Sequence, residues 1–184
     1  MRIISGEIKG KKILEPRDKL TRPLKDLVKE SIFNIIKHSN LFKVEIKKSG
    51  ILDLFSGVGS FGIECLSRGA STVIFFENYE DAVNILKKNI SNCNFEEKSI
   101  IIEKDVFLDN AFKLITINFE IIFLDPPFQT KIYNLLDKII KLNLLKKNGV
   151  IVIHRHKKEM EKLPENFKIL QEKCYGNSKI IFGN

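Results

Sequence analysis

The chain has 184 residues, 43% of them hydrophobic and 29% charged, which suits one domain with a full core and excludes intrinsic disorder. Its formal net charge of +8 suggests a polyanionic partner, although only five of the 31 basic residues are arginines and a Lys-, Ile- and Asn-rich composition also arises from AT-rich coding sequence. No apolar run is long enough to span a bilayer, the first residues lack the apolar centre of a signal peptide, and Cys65, Cys93 and Cys174 have neither disulfide nor zinc spacing, so a cytoplasmic protein is expected.

In chain order, the apolar pairs Ile3-Ile4 and Ile13-Leu14, separated by Gly6 and Gly10, predict a small β-hairpin with Gly10-Lys11-Lys12 near its turn. Thr21-Arg22-Pro23 reads as a helix start, with Thr21 as cap and proline tolerated in the first turn. Leu24, Leu27, Val28, Ile32, Ile35 and Ile36 continue it at helical spacing. Residues 1–30 hold nine basic and five acidic side chains, half of the net charge. Arg17, Lys19, Arg22, Lys25 and Lys29 read either as a solvated surface or as an arm that grips phosphate. From Gly50 onward strands alternate with helices. Strands are predicted at 51–55, 72–76, 99–103, 121–124 and 150–153, with a closing antiparallel pair at 167–170 and 179–182. Helices follow the glycine loop through Leu66, run around Ala82 to Ile90, and cover Ile132 to Ile140. This pattern predicts an α/β fold, a mostly parallel sheet with helices on both faces. Residues 1–40 are expected to form a hairpin-and-helix extension and residues 41–184 the sheet domain.

Ile121-Ile122-Phe123-Leu124-Asp125-Pro126-Pro127-Phe128 is a buried strand that runs into an acid, two prolines and an aromatic. Neither proline can donate to a ladder, so the acid and the ring are held stiffly at a strand's carboxyl end, where open α/β sheets bind ligands. Upstream, Asp53-Leu54-Phe55-Ser56-Gly57-Val58-Gly59 ends the first strand and opens a helix. Gly57, Gly59 and Gly62 satisfy the dinucleotide fingerprint G-x-G-x-x-G, a weak signal alone. Asp53 argues against a pyrophosphate, which it would repel, and for a ligand that is cationic near this loop. Glu77, at the end of the second strand, suits ribose hydroxyls, and Asp105, after the third, suits an adenine amino group. Each acid alone reads as a loop or cap residue. Three at successive strand ends, with the glycine loop, describe an adenosine bearing an amino-acid tail.

These residues resemble the class I S-adenosylmethionine-dependent methyltransferases, and more narrowly the RsmD family of small-subunit ribosomal RNA guanine-N2 methyltransferases. Met1-Arg2-Ile3-Ile4-x-Gly6, Arg22-Pro23, Glu30, Phe33-Asn34, Leu66-Ser67-Arg68-Gly69-Ala70 and Tyr175-Gly176 extend the resemblance over nearly the whole chain. It implies a Rossmann-like, seven-stranded fold. It implies S-adenosylmethionine held by Asp53, Phe55, Gly57, Gly59, Glu77, Asp105 and Val106. Asp125, Pro126, Pro127 and Phe128 would be catalytic, Arg2, Lys11, Lys12, Arg22 and Lys29 would contact 16S rRNA in the small subunit or its precursor, and neither metal nor membrane would be involved. Two departures stand out. Phe128 replaces a commoner Tyr, and His154-Arg155-His156 stands where the family often has a Glu; the two histidines could touch RNA phosphate or be solvated, and are expected to be solvated, with no catalytic role. The alternatives are amino-methylation of DNA or protein, a non-catalytic assembly factor that binds the cofactor, and an NAD-dependent oxidoreductase, which Asp53 and the Pro-Pro motif disfavour.

Overall fold

The computed structural model describes residues 1–16 and 24–184. Strands β1 (Gly50–Leu54), β2 (Thr72–Phe76), β3 (Ser99–Ile102), β4 (Phe119–Leu124) and β5 (Leu145–His156) are parallel; β7 (Ser178–Gly183) runs antiparallel to both β5 and β6 (Ile169–Tyr175). They form one seven-stranded sheet in the order β3-β2-β1-β4-β5-β7-β6. Helices α1 (Asp26–His38), α2 (Ser60–Ser67) and α3 (Glu80–Asn92) pack on one face, and α4 (Tyr133–Lys141) on the other.

The central strands are apolar on both sides because helices cover both faces. Alternation sorts their side chains between two cores. Ile51, Ile121, Phe123, Val150 and Val152 join the core under α1–α3, whereas Leu52, Leu54, Ile122, Leu124, Ile151 and Ile153 join the core under α4. One further step of the same alternation assigns Asp53, Asp125 and His154 to the first face and Arg155 to the second. The chain winds outward from β1 to β3, then returns to lay β4 against the other side of β1. That reversal leaves a crevice at the carboxyl ends of β1 and β4, the position at which doubly wound sheets bind ligands.

Several boundaries differ from the sequence reading. The helix predicted from Thr21 begins at Asp26, while Thr21 lies outside the described residues. Leu27, assigned to the apolar face, is 67% exposed. The hairpin is reduced to a bridge between Arg2 and Lys12, and its turn occupies residues 5–10, so that Lys11 and Lys12 lie on the returning arm. β5 extends through His156 because β7 continues to pair with it after β4 has ended, matching His154 with Ile180 and His156 with Ser178.

The amino-terminal arm is stitched to the sheet domain by buried polar groups. Glu64 of α2, fully buried, accepts the Ile4 and Ser5 backbone N–H groups at 2.7 and 2.9 Å and the Arg68 Nε–H at 2.9 Å. Lys29, equally buried, lies 3.6 Å from Glu64 and donates to the Arg2 carbonyl at 2.8 Å. Burial lowers the Lys29 pKa, while Glu64 and Asp26 oppose the shift. Gly6 approaches α2 so closely that a Cβ would fall 1.9 Å from the Ser67 carbonyl oxygen, and its φ is +92°. Asn89 of α3 closes the arm's far end, accepting the Leu14 N–H at 2.7 Å and donating to the Leu14 and Val58 carbonyls. Glu64→Ala strands a buried ammonium and two buried N–H groups. We expect it to cost about 3–5 kcal/mol in urea unfolding and to speed amide exchange at residues 3–13. A near-parental midpoint with protected amides would show that the arm is held by its apolar contacts alone.

Candidate active site

β1 ends at Leu54, and the backbone turns sharply at Phe55, whose φ of 59° is unusual for a bulky side chain. Gly57 and Gly59 follow with φ of 53° and 86°, and α2 starts at Ser60. This turn brings the Gly62 N–H back to Asp53 Oδ2 at 2.9 Å. Glycine at position 62 permits this approach, since a Cβ there would lie 2.2 Å from the Phe75 ring and 2.9 Å from Asp53 Oδ2 and would force a shift. Asp53 is buried, and its second oxygen, Oδ1, has no protein partner. Burial pushes its carboxyl well above the usual carboxylate range; Asp125 and Glu77 add to the shift and the Gly62 N–H opposes it. Glu77, just past β2, accepts the Gly57 N–H at 2.7 Å through one oxygen and the Asn78 and Tyr79 N–H groups at 3.0 and 2.9 Å through the other.

Across the crevice, the Asp125 N–H donates to the Leu54 carbonyl at 3.3 Å, tying the start of the Asp-Pro-Pro-Phe segment to the end of β1. Within His154-Arg155-His156, the first two residues are built into this segment's support. His154 is 6% exposed; its Nδ1 lies 2.8 Å from Asp125 Oδ1 and its Nε2 lies 2.9 Å from Ser178 Oγ. Arg155, 2% exposed, reaches the other face and donates to the Pro127, Phe128 and Thr130 carbonyls at 3.3, 2.8 and 2.9 Å. It also pairs with buried Glu161 at 2.8 Å. The Phe128 ring packs against both histidines, with centroids 6.1 Å from His154 and 5.2 Å from His156. The solvated reading fails for His154 because β5 lies inside the sheet, between β4 and β7; His156, at the end of the strand, is half-buried.

Asp53, Phe55, Gly57, Glu77, Asp125, Pro126, Pro127 and Phe128 all line one cleft of about 470 Å³, a size suited to a nucleotide-like molecule. Met1, Asn78 and Tyr79 also line it, and none of these three is evident from the sequence as a site residue. Gly59 stands behind the lining, against Ile63 and Leu86. Asp105 and Val106 also lie off it. Asp105 Oδ1 accepts the Phe107 N–H at 2.9 Å, and Val106 belongs to the core under α4. Among the described residues no cluster of His, Cys, Asp and Glu is placed to hold a metal ion, and no helix is long and apolar enough to cross a membrane.

All of residues 1–184 match the family described as conserved hypothetical protein 95. A ribosomal RNA small subunit methyltransferase D of Haemophilus influenzae is 36% identical over 183 residues, covering 96% of this chain and 89% of the relative. The chain belongs to the RsmD family. A second member, from Buchnera aphidicola, is 34% identical over 94% of this chain and 86% of its own length. A solved structure of a candidate methylase from Haemophilus influenzae superposes with a TM-score of 0.75 at 31% identity, covering 99% of this chain and 96% of the other. A candidate methyltransferase from Escherichia coli, 23% identical, shares the fold with a TM-score of 0.80 over 100% of this chain and 96% of its own. The architecture is thus the Rossmann-like fold of class I methyltransferases.

The basic residues assigned to RNA from the RsmD resemblance fall into different settings. Arg2 and Lys12 face each other across the bridge and are exposed. Lys11 is half-buried, with its ammonium donating to the Asn92 carbonyl. Arg22 lies outside the described residues. Lys29 is corrected outright: it is buried inside the ion pair with Glu64 and presents no charge to a partner. In this RsmD-family site the cleft depends on α2 lying tightly over Asp53. Gly62→Ala forces α2 off Phe75 and should lower stability by about 1–3 kcal/mol, measured by thermal unfolding. Parental stability would mean that α2 can shift freely over the sheet.

Proposed function

We propose that this protein transfers a methyl group from S-adenosylmethionine to the exocyclic N2 amine of a guanine in small-subunit ribosomal RNA. One observation carries the reading: a single cleft is lined on one side by Asp53 and Glu77 and on the other by Asp125-Pro126-Pro127-Phe128. The residues present fit the donor. Asp53 offers a buried, unpartnered oxygen to an amino-acid ammonium, and a cleft carrying three carboxylates suits a cationic ligand in a protein that is otherwise basic. Glu77, already rigid through its three backbone bonds, would hold ribose hydroxyls, while Phe55 and Gly57 bring backbone close to the ligand. Asp105 and Val106, beyond the end of β3, are proposed to meet the adenine edge, although neither lines the cleft itself. When bound, S-adenosylmethionine supplies a methyl group activated by a positively charged sulfur.

The protein's own task is to make a poor nucleophile react. An exocyclic guanine amine has its lone pair delocalised into the ring. Asp125 and the Pro126 carbonyl would accept its two N–H bonds, drawing the nitrogen toward a tetrahedral shape with its lone pair turned into the cleft. Phe128 would stack on the base, which must leave its helix or already sit in a loop. The two prolines prevent the acceptors from drifting, so that positioning supplies most of the barrier reduction. The relatives named ribosomal RNA small subunit methyltransferase D support an RNA acceptor. Arg2 and Lys12, exposed and opposite each other on the arm, would add to the attraction of a polyanion, with Arg2 also lying 3.9 Å from Asp26. Arg2 adjoins Met1, which lines the cleft.

Labelled methyl transfer to small ribosomal subunits that lack the modification should yield N2-methylguanosine on nucleoside analysis. A different methylated nucleoside would overturn the guanine assignment. Asp125→Ala should reduce turnover at least about a hundredfold while cofactor affinity stays near parental; near-normal turnover would refute the mechanism. Binding should also be linked to protons. The raised Asp53 pKa means that the free protein keeps this carboxyl protonated at pH values where an ordinary carboxylate is ionised. An ammonium beside Asp53 favours the ionised form, so binding below the Asp53 titration releases a proton and affinity rises with pH. Calorimetry in buffers of different ionisation enthalpy should detect this release, and Asp53→Asn should abolish it. Proton uptake on binding would contradict the assignment.

A further inference from the structure

Two ends of the Asp125 side chain are constrained by different means. Its backbone is fixed by Pro126 and Pro127, but prolines do not set the rotation of a carboxylate. That rotation is set by the contact from β5, His154 Nδ1 to Asp125 Oδ1 at 2.8 Å. A carboxylate can only accept, so Nδ1 must carry the hydrogen; a neutral imidazole then leaves Nε2 as an acceptor for the Ser178 hydroxyl, 2.9 Å away. Every polar atom of the ring is thereby satisfied in a buried setting whose strand neighbours on the same face, Val150 and Val152, are apolar. Packing alone would be met by another aliphatic side chain at this position.

We propose that His154 is a positioning residue for the methyl-transfer reaction: by donating from Nδ1 to Asp125 Oδ1, it orients the carboxylate so that Oδ2 takes the N–H bond of the target amine. This inference rests on the function proposed above. His154 gives up and gains no proton in this role: Asp125 only accepts the N–H bond, and the surplus proton of the methylated amine leaves to solvent after transfer. Asp125 selects the Nδ1–H tautomer, Ser178 at the start of β7 tethers the far side of the ring, and the T-shaped contact with Phe128 joins the orientation of the acid to that of the stacking ring. The order of control runs from β7 through β5 to the residue that meets the base.

Two measurements test this independently. Side-chain ¹⁵N spectra of the parental protein should show His154 as the single Nδ1–H tautomer, lost in Asp125→Ala. An Nε2–H tautomer, or an averaged signal, would overturn the proposal whether or not the protein methylates RNA. Kinetics supply the second arm. His154→Leu removes the donor and should lower kcat about a hundredfold with KM for the cofactor unchanged. The amide nitrogen of Asn stands near the place of Nδ1, so His154→Asn keeps the bond to Asp125 and loses only that to Ser178. It should recover kcat to within about tenfold of the parent, the scale of one neutral hydrogen bond. Should His154→Asn be folded and bind cofactor yet be as slow as His154→Leu, the role is packing and the proposal fails. If the parental protein itself transfers no methyl group to ribosomal RNA, the proposed function fails, and the ¹⁵N result still decides whether His154 orients Asp125.

Discussion

A carboxylate held away from water with one oxygen unpaired is the constraint on which this molecule depends. Asp53 stands in the middle of the sheet, in register with Phe75 on one side and Phe123 on the other. Neither neighbour can solvate it, and the Gly62 N–H meets only one of its oxygens. Such an arrangement costs free energy in the free protein. The surrounding structure is shaped to maintain it: a left-handed Phe55, a glycine where any Cβ would collide, and a short helix buried along its length. A fold maintained for stability alone would place an aliphatic residue at this position. The buried acid makes physical sense when a cation completes it.

The charge distribution follows the same logic on a larger scale. The chain is basic, yet its cleft is lined by Asp53, Glu77 and Asp125. On the function proposed above, a polyanion drawn to the outer surface would meet an acidic cleft that repels its phosphates, and a neutral base would be the part that enters. Arg2 and Lys12 stand on the arm that brings Met1 to the cleft, and that arm is anchored through Glu64, Ser67 and Asn89 rather than left free. The basic arm and the acidic cleft are therefore joined by a rigid connection.

Much of this is legible in the sequence because it is local. Strand ends, the glycine loop and the Pro-Pro stop are written in consecutive residues, so the amino-acid pattern by itself puts Asp53, Glu77, Asp105 and Asp125 near strand ends; Asp53, Glu77 and Asp125 line the cleft, whereas Asp105 lies off it. What the pattern misses is pairing between distant segments. Lys29 looks like one more surface cation until Glu64, on another helix, buries it. The end of β5 depends on β7, more than twenty residues later, so His154 reads as solvated if the strand stops at Ile153. A signal is present nonetheless: Val150, Val152 and His154 alternate in step with Ile121, Phe123 and Asp125. Extending the strand by one residue puts the imidazole beside the acid. Nothing local marks Leu27 as exposed or delays α1 to Asp26.

The measurement that bears most directly on this account is a crystal structure of the protein with S-adenosylhomocysteine, the demethylated donor. The account predicts the amino group of the ligand on Asp53 Oδ1, its ribose hydroxyls on Glu77, and its sulfur facing the cleft wall formed by Asp125 to Phe128. A ligand bound elsewhere, or one that leaves Asp53 Oδ1 without a partner, would contradict it.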